Sequence, residues 1–187
     1  MQRELLIHKG GTMGLDMYLN KKTYVGNNWK KKEEQAPVTI PHVKQERVTY
    51  ITEQVGYWRK ANAIHQWFVD NVQEGEDDCK EYYVTREKLE ALLNTVREVL
   101  QGSTLVGGKI QNGTTFEDGK VIPVMEDGKY IQDSTLAEKL LPTSNGYFFG
   151  GTGYDEYYYH DLVETEKILQ EVLQETPESD FYYEASW

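Results

Sequence analysis

Apolar and polar residues alternate loosely from Leu15 to Val25, with Leu15, Met17 and Leu19 on one side, and a period of two predicts a strand. Gly26 to Lys44 is polar and rich in lysine and reads as a basic loop or flap. Arg47–Val55, rich in β-branched and aromatic residues, predicts a second strand or a short helical lead-in. The period then changes. At 100° per residue, Tyr57, Trp58, Ala61, Ile64, Phe68, Val69 and Val72 fall within an arc of about 140°, which predicts an amphipathic helix over Tyr57–Val72.

Tyr82–Val84 predicts a short strand, and Thr85 an N-cap for a helix reaching about Leu100, whose leucines and valines form a plain core stripe. Six glycines among short β-like pieces over 102–133 point to hairpins or a flexible excursion. A short helix is expected from Ser134 to Leu141, stopped by Pro142, then a strand at Tyr147–Phe149 and a long helix from about Tyr154 to Glu175. The final DFYYEASW adds an edge strand or stays mobile. These elements make a single α+β domain over 13–176, with about three main helices packed on a small, mostly antiparallel sheet, and an acidic aromatic tail over 177–187.

Composition narrows the class. With 187 residues, 39% apolar and 27% charged, the chain has the balance of an ordinary globular domain. No apolar run approaches the roughly 20 residues a membrane span requires, so a cytoplasmic protein without a membrane partner is expected. Cys79, the single cysteine, excludes an internal disulfide and a cysteine metal cluster. The net charge of −11 opposes broad nucleic-acid binding, which runs on cations neutralising phosphates. The charge is unevenly distributed: 21–60 holds nine Lys/Arg against four Asp/Glu, and 153–187 holds ten Asp/Glu against one Lys. The opening MQRELLIHKGGT reads as an upstream extension, because codons for Lys-Gly-Gly-Thr before a Met can spell a bacterial ribosome-binding site. Met13 is then the expected initiator, and 1–12 a non-native extension.

Candidate chemistry gathers around the Tyr57–Val72 segment. His65 falls inside the predicted apolar arc and is either a general base or ligand-binding residue in a cleft, or a hydrogen-bonded core histidine. Asp161 falls inside the buried arc of the last helix and needs a partner, which His65, Arg59 or Lys60 can supply; the two outcomes are a structural pair or a catalytic His65–Asp161 couple. Trp58, Arg59, Lys60 and Asn62 together make a kit for gripping a phosphate beside an aromatic face, or else a solvated helix surface. Gly146–Glu156 (GYFFGGTGYDE) joins the expected strand to the last helix, but it lacks the P-loop ending. Thr152 with Asp155 there predicts a capping box, and Tyr154 and Asp155 complete the list of ligand-binding candidates. The four histidines are scattered, so no metal and no cofactor is expected; the acidic turn at Asp77–Cys79 is a weak cation candidate, and Cys79 a weak thiol candidate. Six tyrosines accompany the ten C-terminal acids and form either a surface for a basic partner or a solvated helix with buried rings.

Four segments, MGLDMYL (13–19), YWRKANAIHQWFVDNV (57–72), DDCKEYYV (77–84) and LLPTSNGYFFGGTGYDEYY (140–158), together resemble a family of small proteins encoded by phages and prophages. The resemblance covers most of 13–170 and is most specific at YWRKANAIH. It supports Met13 as initiator but implies no catalytic role. The resemblance implies phage origin and no established activity. Phage origin together with the basic aromatic helix and the acidic tyrosine-rich tail leads to the expectation of a non-enzymatic accessory protein in the host cytoplasm, one that binds a host protein or a nucleotide-like ligand in counter-defence. The alternative is a small enzyme acting on a nucleotide or other phosphorylated metabolite, with His65 and Asp161 as acid–base pair and Arg59 or Lys60 holding the anion.

Overall fold

Leu15, Met17 and Leu19 turn to one face while Asp16, Tyr18 and Asn20 turn to the other, and that alternation builds the first strand, β1 (Asp16–Tyr24). Residues 14–26, 41–44, 47–117, 119–146, 149–175 and 179–187 are described by the computed structural model. Residues 1–13, most of the expected basic loop and Tyr147–Phe148 of an expected strand lie outside them. Phe149 itself belongs to no strand.

β1 pairs antiparallel with β2 (Tyr50–Arg59) on one side and with β6 (Asp180–Ser186) on the other; β6 also pairs with β3 (Tyr82–Val84), so the sheet runs β2-β1-β6-β3. The last segment is therefore neither an edge nor a mobile tail. Phe181, Tyr183 and Ala185 alternate inward and are buried, while Tyr182 and Glu184 point away, so the acidic character that suggested a solvated tail belongs to the outer side of an interior strand.

The helix expected from Tyr57 begins later. Tyr57, Trp58 and Arg59 complete β2 opposite Tyr18, Met17 and Asp16; the chain turns at Lys60 (φ 62°), and α1 spans Asn62–Asn71. Trp58 points inward while Tyr57 and Arg59 point outward, a strand alternation that the helical arc conceals over three residues. Pairing with β1 supplies the backbone hydrogen bonds that a helix would otherwise provide.

Other elements follow their signals. Thr85 caps α2 (Arg86–Gly102), its hydroxyl accepting from Lys88 N–H at 3.3 Å. The glycine-rich stretch is one long hairpin, β4 (Leu105–Glu117) with β5 (Lys120–Ile131), a second antiparallel sheet irregular between Gln111 and Thr114, where Gly113 takes φ 102°. After α3 (Thr135–Leu140) and a loop comes α4 (Glu156–Val172). Its cap is Asp155 itself, whose carboxylate accepts from Tyr157 N–H at 2.9 Å and Tyr158 N–H at 3.2 Å, rather than Thr152. α1, α2 and α4 cover one face of the main sheet. Phe68 of α1 stacks on Tyr183 at 3.9 Å and 8°, Trp58 Nε1 donates to Thr165 Oγ1 of α4 at 2.9 Å, and α2 packs along α4. No helix among the described residues is long and apolar enough to cross a membrane.

Because β6 lies between two partners, deleting residues 179–187 is expected to abolish the cooperative thermal transition of the full chain, whereas removal of a peripheral tail would leave it in place. Circular dichroism melting distinguishes the two.

Candidate functional site

Asn62, the first residue of α1, is buried and reaches across to the loop that precedes α4. Its Nδ2 donates to the carbonyls of Phe149 at 3.2 Å and Gly151 at 2.8 Å, its Oδ1 accepts from Ser144 N–H at 3.1 Å, and its own carbonyl accepts from Ser144 Oγ. One amide thus ties both limbs of the loop to the start of the helix. Gly150, at φ 97°, lets the loop pass the Lys60 turn; a Cβ there would meet Lys60 Cβ and its carbonyl at 3.1 Å. The loop's other end is fixed to the hairpin. Ile131 N–H donates to Tyr154 O at 2.8 Å, Tyr130 and Asp155 form an isolated bridge, and the Tyr154 hydroxyl accepts from Thr143 N–H.

Between these parts lies a cavity of about 990 Å³, walled by the start of α1, the middle of β4 (109–114) with the end of β5, the loop and the first turns of α4. Arg59, Lys60, Asn62, Tyr154, Asp155 and Asp161 all line it, although they come from a strand, a turn, a helix and a loop rather than from one helical face. The expected grouping of Arg59, Lys60 and Asn62 as neighbours on one helix is thereby corrected. Arg59 is an outward strand residue whose Nη1 donates to both oxygens of Asp16, at 2.8 and 3.0 Å. Asn62 is a structural clamp. Lys60 makes no ion pair with a described residue and stands exposed at the lining, while Lys109 of β4 is paired to Asp127.

His65 and Trp58 are elsewhere. His65 is wholly buried, with Nε2 3.1 Å from Asp77 Oδ2 and Nδ1 2.8 Å from the Tyr183 hydroxyl. A carboxylate only accepts, so Nε2 donates to it, and Nδ1 is left to accept from Tyr183. Both nitrogens are engaged and neither borders the cavity, so the expected His65–Asp161 pair does not form. His65 is the hydrogen-bonded core histidine. Trp58 is sealed in the core by its bond to Thr165. The acidic turn is also occupied: Asp77 holds His65, and the Lys80 ammonium and Tyr82 hydroxyl hold the Asp78 carboxyl below its usual range. Among the described residues no group of three His, Cys, Asp or Glu side chains could hold a metal.

Asp161 is the unusual group. Its carboxylate lines the cavity half-buried, and no described side chain or backbone group hydrogen-bonds or ion-pairs with it; only its carbonyl is engaged, accepting from Thr165 Oγ1. Burial, reinforced by the nearby negative charge of Asp155, pushes its pKa up to about 7. Asp155 is itself raised by burial, which outweighs the two N–H bonds it receives as a cap. A desolvated carboxyl facing a cavity without a protein partner is suited to meeting hydrogen-bond donors of a ligand. Tyr130 and Tyr157 add half-exposed rings to the lining, and Lys109, Gln111 and Asn145 add polar groups. These five carry no local sequence signal, since the hairpin and the loop meet only in three dimensions.

No family model, curated protein or solved structure matches this chain.

Asp161 ionises more readily in the unfolded chain than in the folded one. Its contribution therefore favours the fold below about pH 4 and is lost as pH rises to about 7, a difference on the order of 2–4 kcal/mol. Asp161→Asn is expected to stabilise the protein at about pH 8 and to change little near pH 4; equal effects at both would contradict the shifted carboxyl. Asn62→Ala strands the Ser144 N–H and the carbonyls of Phe149 and Gly151, so a loss of about 2–3 kcal/mol and faster protease cleavage within 142–154 are expected.

Proposed function

We propose that this chain is a non-enzymatic binding protein, a phage accessory factor that holds a small nucleotide-like ligand in the cavity between α1, the hairpin and α4. The observation that carries the reading is Asp161, a carboxyl at the cavity wall without a hydrogen-bond or ion-pair partner among the described residues. A nucleobase edge bearing N–H groups would satisfy it, and the ring faces of Tyr130 and Tyr157 suit a flat heterocycle. Lys60, free of any carboxylate among the described residues, offers a charge for a phosphate. A volume of about 990 Å³ lies at the upper end of the range for small-molecule sites, large enough for a nucleotide.

Binding is favoured over catalysis because the base that the catalytic alternative requires, His65, is committed to Tyr183 and Asp77 in the core. Within an infected cell, a protein that buries the base edge of a nucleotide-like signal would withdraw it from a host receptor. Counter-defence by sequestration is the physiological role we infer.

The test is ligand-dependent melting with the four ribonucleoside monophosphates, each at about 1 mM and pH about 7. Saturation by a ligand at 100 times its Kd stabilises by about 2.7 kcal/mol, or several degrees for a chain of this size. At least one nucleotide is expected to raise Tm by that much, with the increment largely lost in Asp161→Asn and reduced in Lys60→Glu. No increment from any of the four, or an increment unchanged in Asp161→Asn, would refute the reading.

A further inference from the structure

The face of the main sheet turned away from the helices carries an array of tyrosines. Strand alternation and register place Tyr18, Tyr24, Tyr50, Tyr57, Tyr83 and Tyr182 on this side, opposite Met17, Leu19, Phe181 and Tyr183. They stand in cross-strand pairs. Tyr18 and Tyr57 have ring centroids 5.5 Å apart, Tyr24 and Tyr50 5.0 Å, and Tyr83 and Tyr182 5.6 Å, all tilted or edge-on. Tyr50, Tyr57 and Tyr83 remain 56%, 43% and 54% exposed, so the pairs do not bury one another. Paired aromatic rings held on a rigid sheet lose little entropy on contact and are favoured interface anchors.

The charges on this face decide what it fits. Four carboxylates, Asp16, Glu81, Asp180 and Glu184, accompany two cations, Lys22 and Arg59, at these strand positions and beside β3. Arg59 closes on Asp16, and Lys22 on Glu81, leaving Asp180 and Glu184 outside the ion pairs. The rings already take a cation, since Lys22 Nζ lies 4.4 Å from the centre of Tyr182. Net negative charge with open tyrosine faces complements arginine and lysine and opposes phosphates. Strands of ten, nine, seven and three residues, about 4.8 Å apart and rising about 3.3 Å per residue, give a platform on the order of 500 Å², smaller than the ~800 Å² per side of a standard protein interface and suited to a single extended segment.

We propose that this face docks an extended, Arg/Lys-rich segment of a partner protein, with cationic groups over the tyrosine rings and against Asp180 and Glu184. This surface shares only Arg59 with the cavity lining, and its occupancy does not rest on the nucleotide reading.

The test titrates the full chain into three labelled probes of similar length: an Arg/Lys-rich peptide alternating with glycine, an acidic peptide of the same pattern and oligo-dT, read by fluorescence anisotropy. The basic peptide is expected to bind selectively. Tyr50→Ser/Tyr83→Ser and Asp180→Asn/Glu184→Gln are each expected to weaken it at least tenfold, whereas Glu87→Gln/Glu98→Gln on α2 removes equal charge with little effect. Amide NMR shifts of the unmodified protein provide a readout that does not depend on the variants folding, and they should map to β1, β2, β3 and β6. Preferential binding of oligo-dT, loss of affinity equal in the α2 control, shifts confined to the helices, or no binding of the basic peptide would each overturn the proposal.

Discussion

Tyr183 joins the parts of this fold that are farthest apart in sequence. Its backbone stands between Leu19 of β1 and Tyr82 of β3, its ring stacks on Phe68 of α1, and its hydroxyl reaches Nδ1 of His65. The last strand therefore fills the centre of the sheet and fixes α1 upon it. That placement decides where Asn62 begins the helix and where its amide can hold the loop before α4. Without the last strand, the first strand and β3 have no common neighbour, and the cavity wall formed by α1 loses its seat.

The core and the cavity handle polar groups in opposite ways. His65 is buried with both nitrogens satisfied, as the cost of stranding a polar group requires. Asp161 lies one wall away from that regime: its backbone carbonyl is held by Thr165, but its carboxyl faces the cavity with no protein donor among the described residues. A group that weakens the fold when ionised and forms no structural bond is what a site prepared for a ligand retains. Asp155 contributes to the same effect by placing its own charge nearby while capping α4.

Strand and helix types were legible wherever a period, a cap or a breaker stood in the local sequence. β1, β3, α2 and α3 follow from alternation, from the Thr85 cap and from Pro142, and the α+β class follows from their order. The segment Tyr57–Arg59 was not, because three residues with Trp58 between two outward neighbours satisfy a helical arc and a strand alternation alike; pairing with β1 decides between them, and that is a long-range fact. The interior position of β6 was hidden for the same reason, since its outward acids resemble a solvated tail until both neighbours are known. Of the site, Asp161 was identifiable as a carboxyl on a buried helix face in need of a partner. Its cavity was not, because the walls come from a hairpin and a loop that no local pattern brings together, and His65 found its partners in Asp77 and Tyr183 instead.

The most direct measurement is a ¹³C NMR titration of the Asp161 side-chain carboxyl in the unliganded full chain. An unpaired carboxyl, desolvated at the cavity wall beside Asp155, requires a midpoint near pH 7. A midpoint near the ordinary aspartate value of about 4 would mean that the group is solvated or paired, and the assignment of the cavity as a prepared site would fall.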